Sequence, residues 1–532
     1  MPRKLSRRDL LKTGVIATAG VGGLLAHPEL AAARALSADV VVVGAGYAGL
    51  GAAWELFKHG QRVIVLEANP RVGGRVWSSQ LSDGTLFEIG GQWVSDAQPD
   101  IRTLMTELGM GNSIYPTYDE GNNVFVGANG TVAQYNPNNP DPFQALPPID
   151  DAAKLDVGAA FLTFQAMASV VNVNAPWEDR PFPQIPGLLG PQTTAEADQW
   201  TVDSWIDLNV VTDDAKALLR VSVAGATGVN TGAISLLHWL FYLQTFGGNF
   251  LNLSGSGAGQ AEQFRVAPPG AQQMALLIAD RLGPGAVRVG SPVKSIQQSD
   301  RGVTVITATG LVVNARRVIV AAPSTLDTFI RYDPILPPDR AQLQQRVPLG
   351  TVWKIWLVYD RAYWRERNPP LTGESISIFP GDFIPNARDG GGPVGQNTPG
   401  LMICFVVGDG ARAFNAMTRE ARKAQVLSEM VHRFGAPAAQ LSPTIRFPAV
   451  PPQNPAPDNY FEFNWAIDEF ARGDFGAVPG PGVYTGVGFG PAIRAPFWRI
   501  HWAGVDTGTT QYGSFSSAVN SGKRAAAEVL AA

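Results

Sequence analysis

A chain of 532 residues with 45% hydrophobic and 16% charged side chains is too long for one ordinary core and too apolar for disorder, so two or more globular domains are expected. Its net charge of −4, with no long basic run outside the extreme N-terminus, excludes nucleic-acid binding as the main activity. A lone cysteine, Cys404, excludes an internal disulfide, and the five histidines stand at no metal-ligand spacing, so no metal site is expected.

The first 35 residues read as an address. Ser6-Arg7-Arg8-Asp9-Leu10-Leu11-Lys12 precedes a mildly apolar, glycine- and alanine-rich stretch from Thr13 to Ala26, and Ala31-Ala32-Ala33-Arg34-Ala35 offers small-residue cleavage sites. Adjacent arginines before such a segment resemble a twin-arginine export signal, which implies the export machinery as a partner and a periplasmic or extracellular destination. The stretch is short and glycine-rich for a membrane-spanning helix, which needs about 20 apolar residues.

Asp39-Val40-Val41-Val42-Val43 is β-branched and predicts a buried parallel strand. It runs into Gly44-Ala45-Gly46-Tyr47-Ala48-Gly49 and then a helical stretch from Leu50 to His59, closed by Gly60. Gly44 suits the tight turn, Gly46 the approach of a pyrophosphate, and Gly49 close packing of helix on strand. Free N–H groups at the helix start would face the phosphates. Arg62 to Leu66 is the next strand, and Glu67 ends it where a carboxylate would hold ribose hydroxyls. This segment defines a dinucleotide site of Rossmann type and leaves NAD and FAD both open.

Ala68-Asn69-Pro70-Arg71-Val72-Gly73-Gly74-Arg75-Val76-Trp77 resembles the second glycine motif of the flavin-containing amine oxidases, the family of the monoamine oxidases and their bacterial relatives. Glu88-Ile89-Gly90-Gly91-Gln92-Trp93-Val94 is similar to the family segment that passes close to the flavin ring. The likeness continues in order. Gly270 to Gln273 starts a helix; Val287 to Ile296 follows as a strand, with Val293 where the family contacts adenine; Val318 to Pro323 is similar to a returning strand. Arg346 to Lys354 follows, and Ile500-His501-Trp502-Ala503-Gly504-Val505-Asp506-Thr507 resembles the flavin-closing motif before a helix read from Gly513 to Arg524. The resemblance implies an α/β fold in which a Rossmann-type FAD-binding domain (36–119, 264–344 and 460–532) is interleaved with a mixed-sheet substrate domain (120–263 and 345–459). Phe143 to Pro191 is expected at the cavity entrance.

The resemblance implies FAD-dependent oxidation of an amine to an imine, with oxygen or a redox carrier taking the electrons. Lys354 is the expected catalytic residue: it interrupts the apolar strand Val352 to Val358, and the family's lysine there holds a water near flavin N5. Cofactor contacts are expected from Gly44, Gly46, Gly49, Glu67, Arg71, Gly74, Arg75, Gly91, Gln92, Trp93, Val293, Trp465, Gly504, Asp506 and Ser514, with Arg71 and Arg75 offsetting pyrophosphate charge. Many family members carry a flavin-linking cysteine where this chain has Asp474, which implies non-covalent FAD. The family flanks its substrate with two aromatic rings; the aligned residues here are Phe475 and Ser514, so one wall is lost unless Tyr512 or Phe515 supplies it. Trp465 is expected to pack along the flavin and border the substrate.

Three alternatives stand beside this reading. An L-amino-acid oxidase would need an arginine for the substrate carboxylate, for which Arg265 is available. A dehydrogenase would pass electrons to a periplasmic carrier. A non-catalytic flavin protein would have no use for Lys354. The motifs do not define the oligomeric state, and a homodimer is one arrangement they allow.

Overall fold

The computed structural model describes residues 35–253, 261–393, 395–396, 398–486 and 488–532. The export motif at residues 6–12 lies outside the described residues. Val40–Val43 is buried at every position, as a strand covered on both faces must be. It lies at the centre of a five-stranded parallel sheet in the order Val287–Arg288, Val63–Leu66, Val40–Val43, Arg317–Val320, Ile500–Trp502. Helices Tyr47–Lys58 and Phe515–Ala531 pack against each other through small residues. A Cβ on Gly522 would sit 2.2 Å from the carbonyl oxygen of Ala48, so only glycine lets the two helices come this close.

The expected strand from Val287 to Ile296 is two strands. Gly290, at φ +60°, turns the chain, so Val287–Arg288 joins the parallel sheet while Val293–Ser299 joins a second sheet with Gly302–Thr307.

A seven-stranded mixed sheet forms the other half, in the order Tyr460–Asn464, Val352–Tyr359, Gly400–Val407, Asn386–Asp389, Leu371–Ser377, Asn122–Val126, Val132–Tyr135. Tyr460–Asn464, grouped above with the cofactor-binding stretches, pairs here with Val352–Tyr359. Side chains alternate along Val352–Tyr359. Trp353, Ile355 and Leu357 join a core cluster with Val426, Met430 and Phe434 of helix Arg419–Phe434, and Cys404 lies in that cluster as an ordinary buried hydrophobe. Lys354 projects from the other face, toward the large cavity of the molecule. Helices Asp151–Ala168, Asp213–Thr227 and Leu236–Thr245 supply the opposite wall; Asp150 caps the first by accepting from the Ala153 amide at 2.7 Å. Among the described residues no helix is long and apolar enough to cross a membrane.

Candidate active site

The cavity, of about 1140 Å³, runs between the glycine turn of the parallel sheet and the face of the mixed sheet that carries Lys354. At the turn, Gly44 adopts φ +99° and donates its amide to Leu66 at 2.7 Å. A Cβ on Gly49 would lie 2.0 Å from the Gly44 carbonyl oxygen, so this glycine seats the helix on the strand and does not face the cavity. Gly46 bridges to Gly73, and a Cβ on Gly74 would come within 3.1 Å of the Gly46 Cα. Two glycine segments thus meet backbone to backbone and leave a trough without side chains. Glu67 borders it, accepting the Ala45 amide at 2.6 Å and the Asn69 amide at 2.8 Å. A carboxylate has further lone pairs, so ribose hydroxyls remain within its capacity. Burial pushes the Glu67 carboxyl up, and those two amides oppose the shift.

Arg71 does not do what was expected of it. Its guanidinium donates to the carbonyls of Gly74 and Val76 at 2.9 and 3.3 Å, lies over the Trp77 ring and is not on the cavity wall. It holds the glycine loop in shape from behind. Arg75 does line the cavity and donates to the Asp474 carbonyl. Val293, Gly504, Asp506 and Ser514 also line it. Asp506 fixes two loops, accepting from Ser324 Oγ at 2.8 Å and the Ala477 amide at 2.9 Å, while Ser514 caps helix Phe515–Ala531.

Lys354 is 5% exposed. Its Nζ donates to the Gly90 carbonyl at 2.7 Å and to Gln92 Oε1 at 3.0 Å, beside the rings of Trp93 and Trp356. An ammonium has three donors, so one remains for the cavity. Burial pulls its pKa well below the ordinary lysine value, with Glu88 opposing. Gln92 Nε2 and Trp93 Nε1 are buried donors without a partner among the described residues, and both residues border the cavity. Buried donors of this kind call for an acceptor. Gly90 and Gly91 are tight: a Cβ on the first would strike the Arg75 carbonyl oxygen at 2.0 Å, and on the second the Phe515 ring at 2.6 Å.

Phe475, 36% exposed, and the buried Tyr512 both line the cavity, and so does Trp465. The Tyr512 hydroxyl donates to the Ala477 carbonyl at 2.6 Å. Phe515 stacks on Tyr47 at 5.2 Å, and both rings line the cavity. The Asp474 carboxylate is buried against Gly228 and Gly350; burial pushes it up to about 7, with Arg75 and neighbouring backbone amides opposing. Arg265 is turned away from the cavity, donating to the carbonyls of Gly390 and Gly391, and so does not serve as a carboxylate receptor. Tyr242, Phe246, Phe405, Glu262, Glu374, Asn386 and Arg388 complete the wall, and sequence reasoning picked out none of them. Ala145, Leu146, Pro147 and Phe161 of the expected entrance segment line it as well.

A trough shaped by Gly44, Gly46 and Gly74, leading to unpartnered donors beside a buried lysine, defines a dinucleotide-cofactor oxidoreductase. The flavin containing amine oxidoreductase family matches residues 47–530, and the chain belongs to that family. It is 30% identical to the flavin-containing amine oxidase A of Canis lupus familiaris, over 92% of this chain and 85% of that one. It is also 30% identical to an L-amino acid dehydrogenase of Synechocystis, over 93% and 95%. A solved structure of putrescine oxidase with putrescine bound shares the fold at TM-score 0.80 and 27% identity, covering 94% of this chain and all of the other. The protein is an FAD-dependent amine oxidoreductase, and the glycine trough and the orphaned donors of Gln92 and Trp93 fit FAD. The chain's only cysteine is Cys404, buried in the core of the mixed sheet, so no thiol is placed to bond to the flavin.

Proposed function

We propose that the enzyme oxidises the carbon next to the nitrogen of an organic amine to an imine, which water then hydrolyses, and that oxygen takes the electrons and leaves as hydrogen peroxide. The observation that carries this reading is Lys354: a buried amine, held by two acceptors on the cavity wall, with a third donor to spare. Bound FAD supplies the two-electron acceptor for the substrate carbon. The chain's own residues do the rest. Gly90 and Gln92 fix Lys354 so that it can hold a water or an oxygen species at one point. Phe475, Tyr242 and Phe405 offer apolar surface that excludes water and favours the neutral amine over its ammonium form. The reacting amine must be neutral because its nitrogen lone pair drives cleavage of the adjacent C–H bond.

Steady-state assay of the purified holoenzyme on a panel of amines and amino acids, with peroxide detection and with cytochrome c as a rival acceptor, tests this reading. Amine turnover with stoichiometric peroxide is expected. Rapid cytochrome reduction without peroxide would replace the oxidase by a dehydrogenase. Turnover of amino acids alone would replace the amine.

The location is proposed as well. Arg7-Arg8 before the mild apolar stretch supports export by the twin-arginine route, which carries folded cargo and so suits a protein that closes around a cofactor. Replacing both arginines by lysine is expected to leave yellow precursor inside the cell; normal export of that variant contradicts the assignment.

A further inference from the structure

Among the described residues the cations that line the cavity are Arg75, Lys354, Arg388 and Arg472. Lys354 and Arg388 lie on the mixed sheet, away from the glycine turn, the first held by Gly90 and Gln92 and the second ion-paired with Glu374 and Glu262. Arg472 forms no ion pair among the described residues. Its Nε donates to the Glu469 carbonyl of its own turn at 3.2 Å, which leaves the Nη donors of the fork to other partners. The backbone of Arg472 stands at φ +57°, a left-handed conformation that is uncommon for a residue with a Cβ and easy for glycine. Strain of this kind persists where a side chain is needed.

The surroundings of Arg472 tie it to the dinucleotide trough. Gly74 comes against Gly46, Arg75 follows Gly74, and the Arg75 guanidinium donates to the carbonyl of Asp474, two residues beyond Arg472. The loop that carries Arg472 is thus drawn to the side of the trough where phosphates would lie against the Gly44–Gly46 turn. Across from it, Phe329 follows helix Ser324–Asp327, whose first residue is fixed by Asp506. The Phe329 ring lines the cavity although the residue is 69% exposed, and Arg472 is exposed as well. The Arg472 Cζ stands 5.7 Å from the centre of that ring, within reach of a cation–π contact. Two walls of the trough therefore meet at its solvent edge through one guanidinium and one ring. A phenyl ring left this bare at a cavity mouth gains by covering a ligand. The diphosphate of a dinucleotide is doubly negative, and Arg75 and Arg472 are the cations on this side that can offset it. Asp468 of the same turn does not cancel Arg472: it accepts the Phe470 amide at 3.0 Å and has Arg71 as its neighbouring cation.

We propose that Arg472 and Phe329 clamp the bound dinucleotide from the solvent side. Arg472 shares the diphosphate charge with Arg75, Phe329 covers the cofactor from the opposite wall, and the pair sets how tightly FAD is retained. This rests on FAD as the cofactor and not on which substrate it oxidises.

The test is the rate at which the purified holoenzyme loses its flavin, followed by the rise of FAD fluorescence after dilution, at low and at high salt. Arg472→Gln is expected to release FAD at least about tenfold faster than wild type, the size of one charge-assisted hydrogen bond. Arg472→Lys should fall between the two, and Phe329→Ala should release FAD several-fold faster. Salt should speed release from wild type more than from Arg472→Gln, since screening acts on the charge that the variant lacks. Arg472→Gly suits the left-handed turn better than arginine does, so it keeps the loop while removing the guanidinium, and it is expected to lose FAD as fast as Arg472→Gln. Wild-type release rates in Arg472→Gln and Phe329→Ala overturn the inference. Fast release from Arg472→Gln with wild-type release from Arg472→Gly overturns it too, because the shape of the turn and not the charge would then hold the flavin. Failure of amines to bleach the bound flavin would end the amine-oxidising reading and leave these rates standing.

Discussion

Lys354 places an ionisable group in a strand whose eight residues are all buried, where a charge is costly unless something uses it. Its hydrogen bonds to Gly90 and Gln92 hold the amine on the cavity side. A positive charge there stabilises negative charge passing to oxygen, and in a dry site one such interaction contributes a few kcal/mol. Lys354→Met keeps the length and removes the donors. The variant is expected to fold, retain FAD and show near-normal anaerobic flavin reduction, while reoxidation slows by a factor on the order of 10². Stopped-flow traces of both half-reactions check this. Lost reduction with intact reoxidation would mean that Lys354 acts on the amine. The two half-reactions should also have opposite pH slopes. Alkylamines titrate near about 10.4, so reduction at subsaturating amine rises from neutral toward alkaline pH. Burial lowers the Lys354 pKa, so its ammonium is present at low pH and is lost as pH rises through that depressed value. Reoxidation is therefore expected to slow over the same range in wild type and to be flat in Lys354→Met.

At the scale of the element, the glycines set what the cofactor domain can do. Gly49→Ala would drive a Cβ into the Gly44 carbonyl and lift helix Tyr47–Lys58 off its strand. A loss of about 1–3 kcal/mol is expected, seen as a lower Tm and a reduced FAD-loaded fraction. Gly158, in the middle of helix Asp151–Ala168 with open space around it, is the control: Gly158→Ala should stabilise by about 0.5–1 kcal/mol. Equal behaviour of the two variants would contradict the packing role of Gly49. The glycine motifs were legible because close backbone approach is a local demand that only glycine meets. Lys354 was legible because a charge stands out in an apolar strand. Arg71 was misplaced because residue type does not say which way a side chain turns, and here it turns to its own loop. Glu262, Glu374, Arg388 and Tyr242 were invisible for a different reason: they converge from four separate elements or loops, and nothing in their neighbours in sequence marks a cavity wall.

Across the whole molecule, three separate stretches of the chain supply the five strands of the parallel sheet, with the substrate-side elements threaded between. The resemblance to the flavin-containing amine oxidases implied this interleaving, whereas the break at Gly290 depended on which sheet each half could join. Because the parallel sheet is completed only by Ile500–Trp502, near the end of the chain, the FAD site cannot assemble from an N-terminal fragment alone. With no thiol beside the flavin position, acid or heat denaturation is expected to release essentially all the flavin into the supernatant. Colour that stays with the precipitated protein would contradict this. The central claim, that this cavity oxidises amines through FAD, is tested most directly by mixing the purified yellow holoenzyme anaerobically with monoamines and diamines and following the flavin absorption. Bleaching by an amine, with full recovery of the colour when oxygen is admitted, is the expected result. A flavin that dithionite bleaches but no amine does would contradict it.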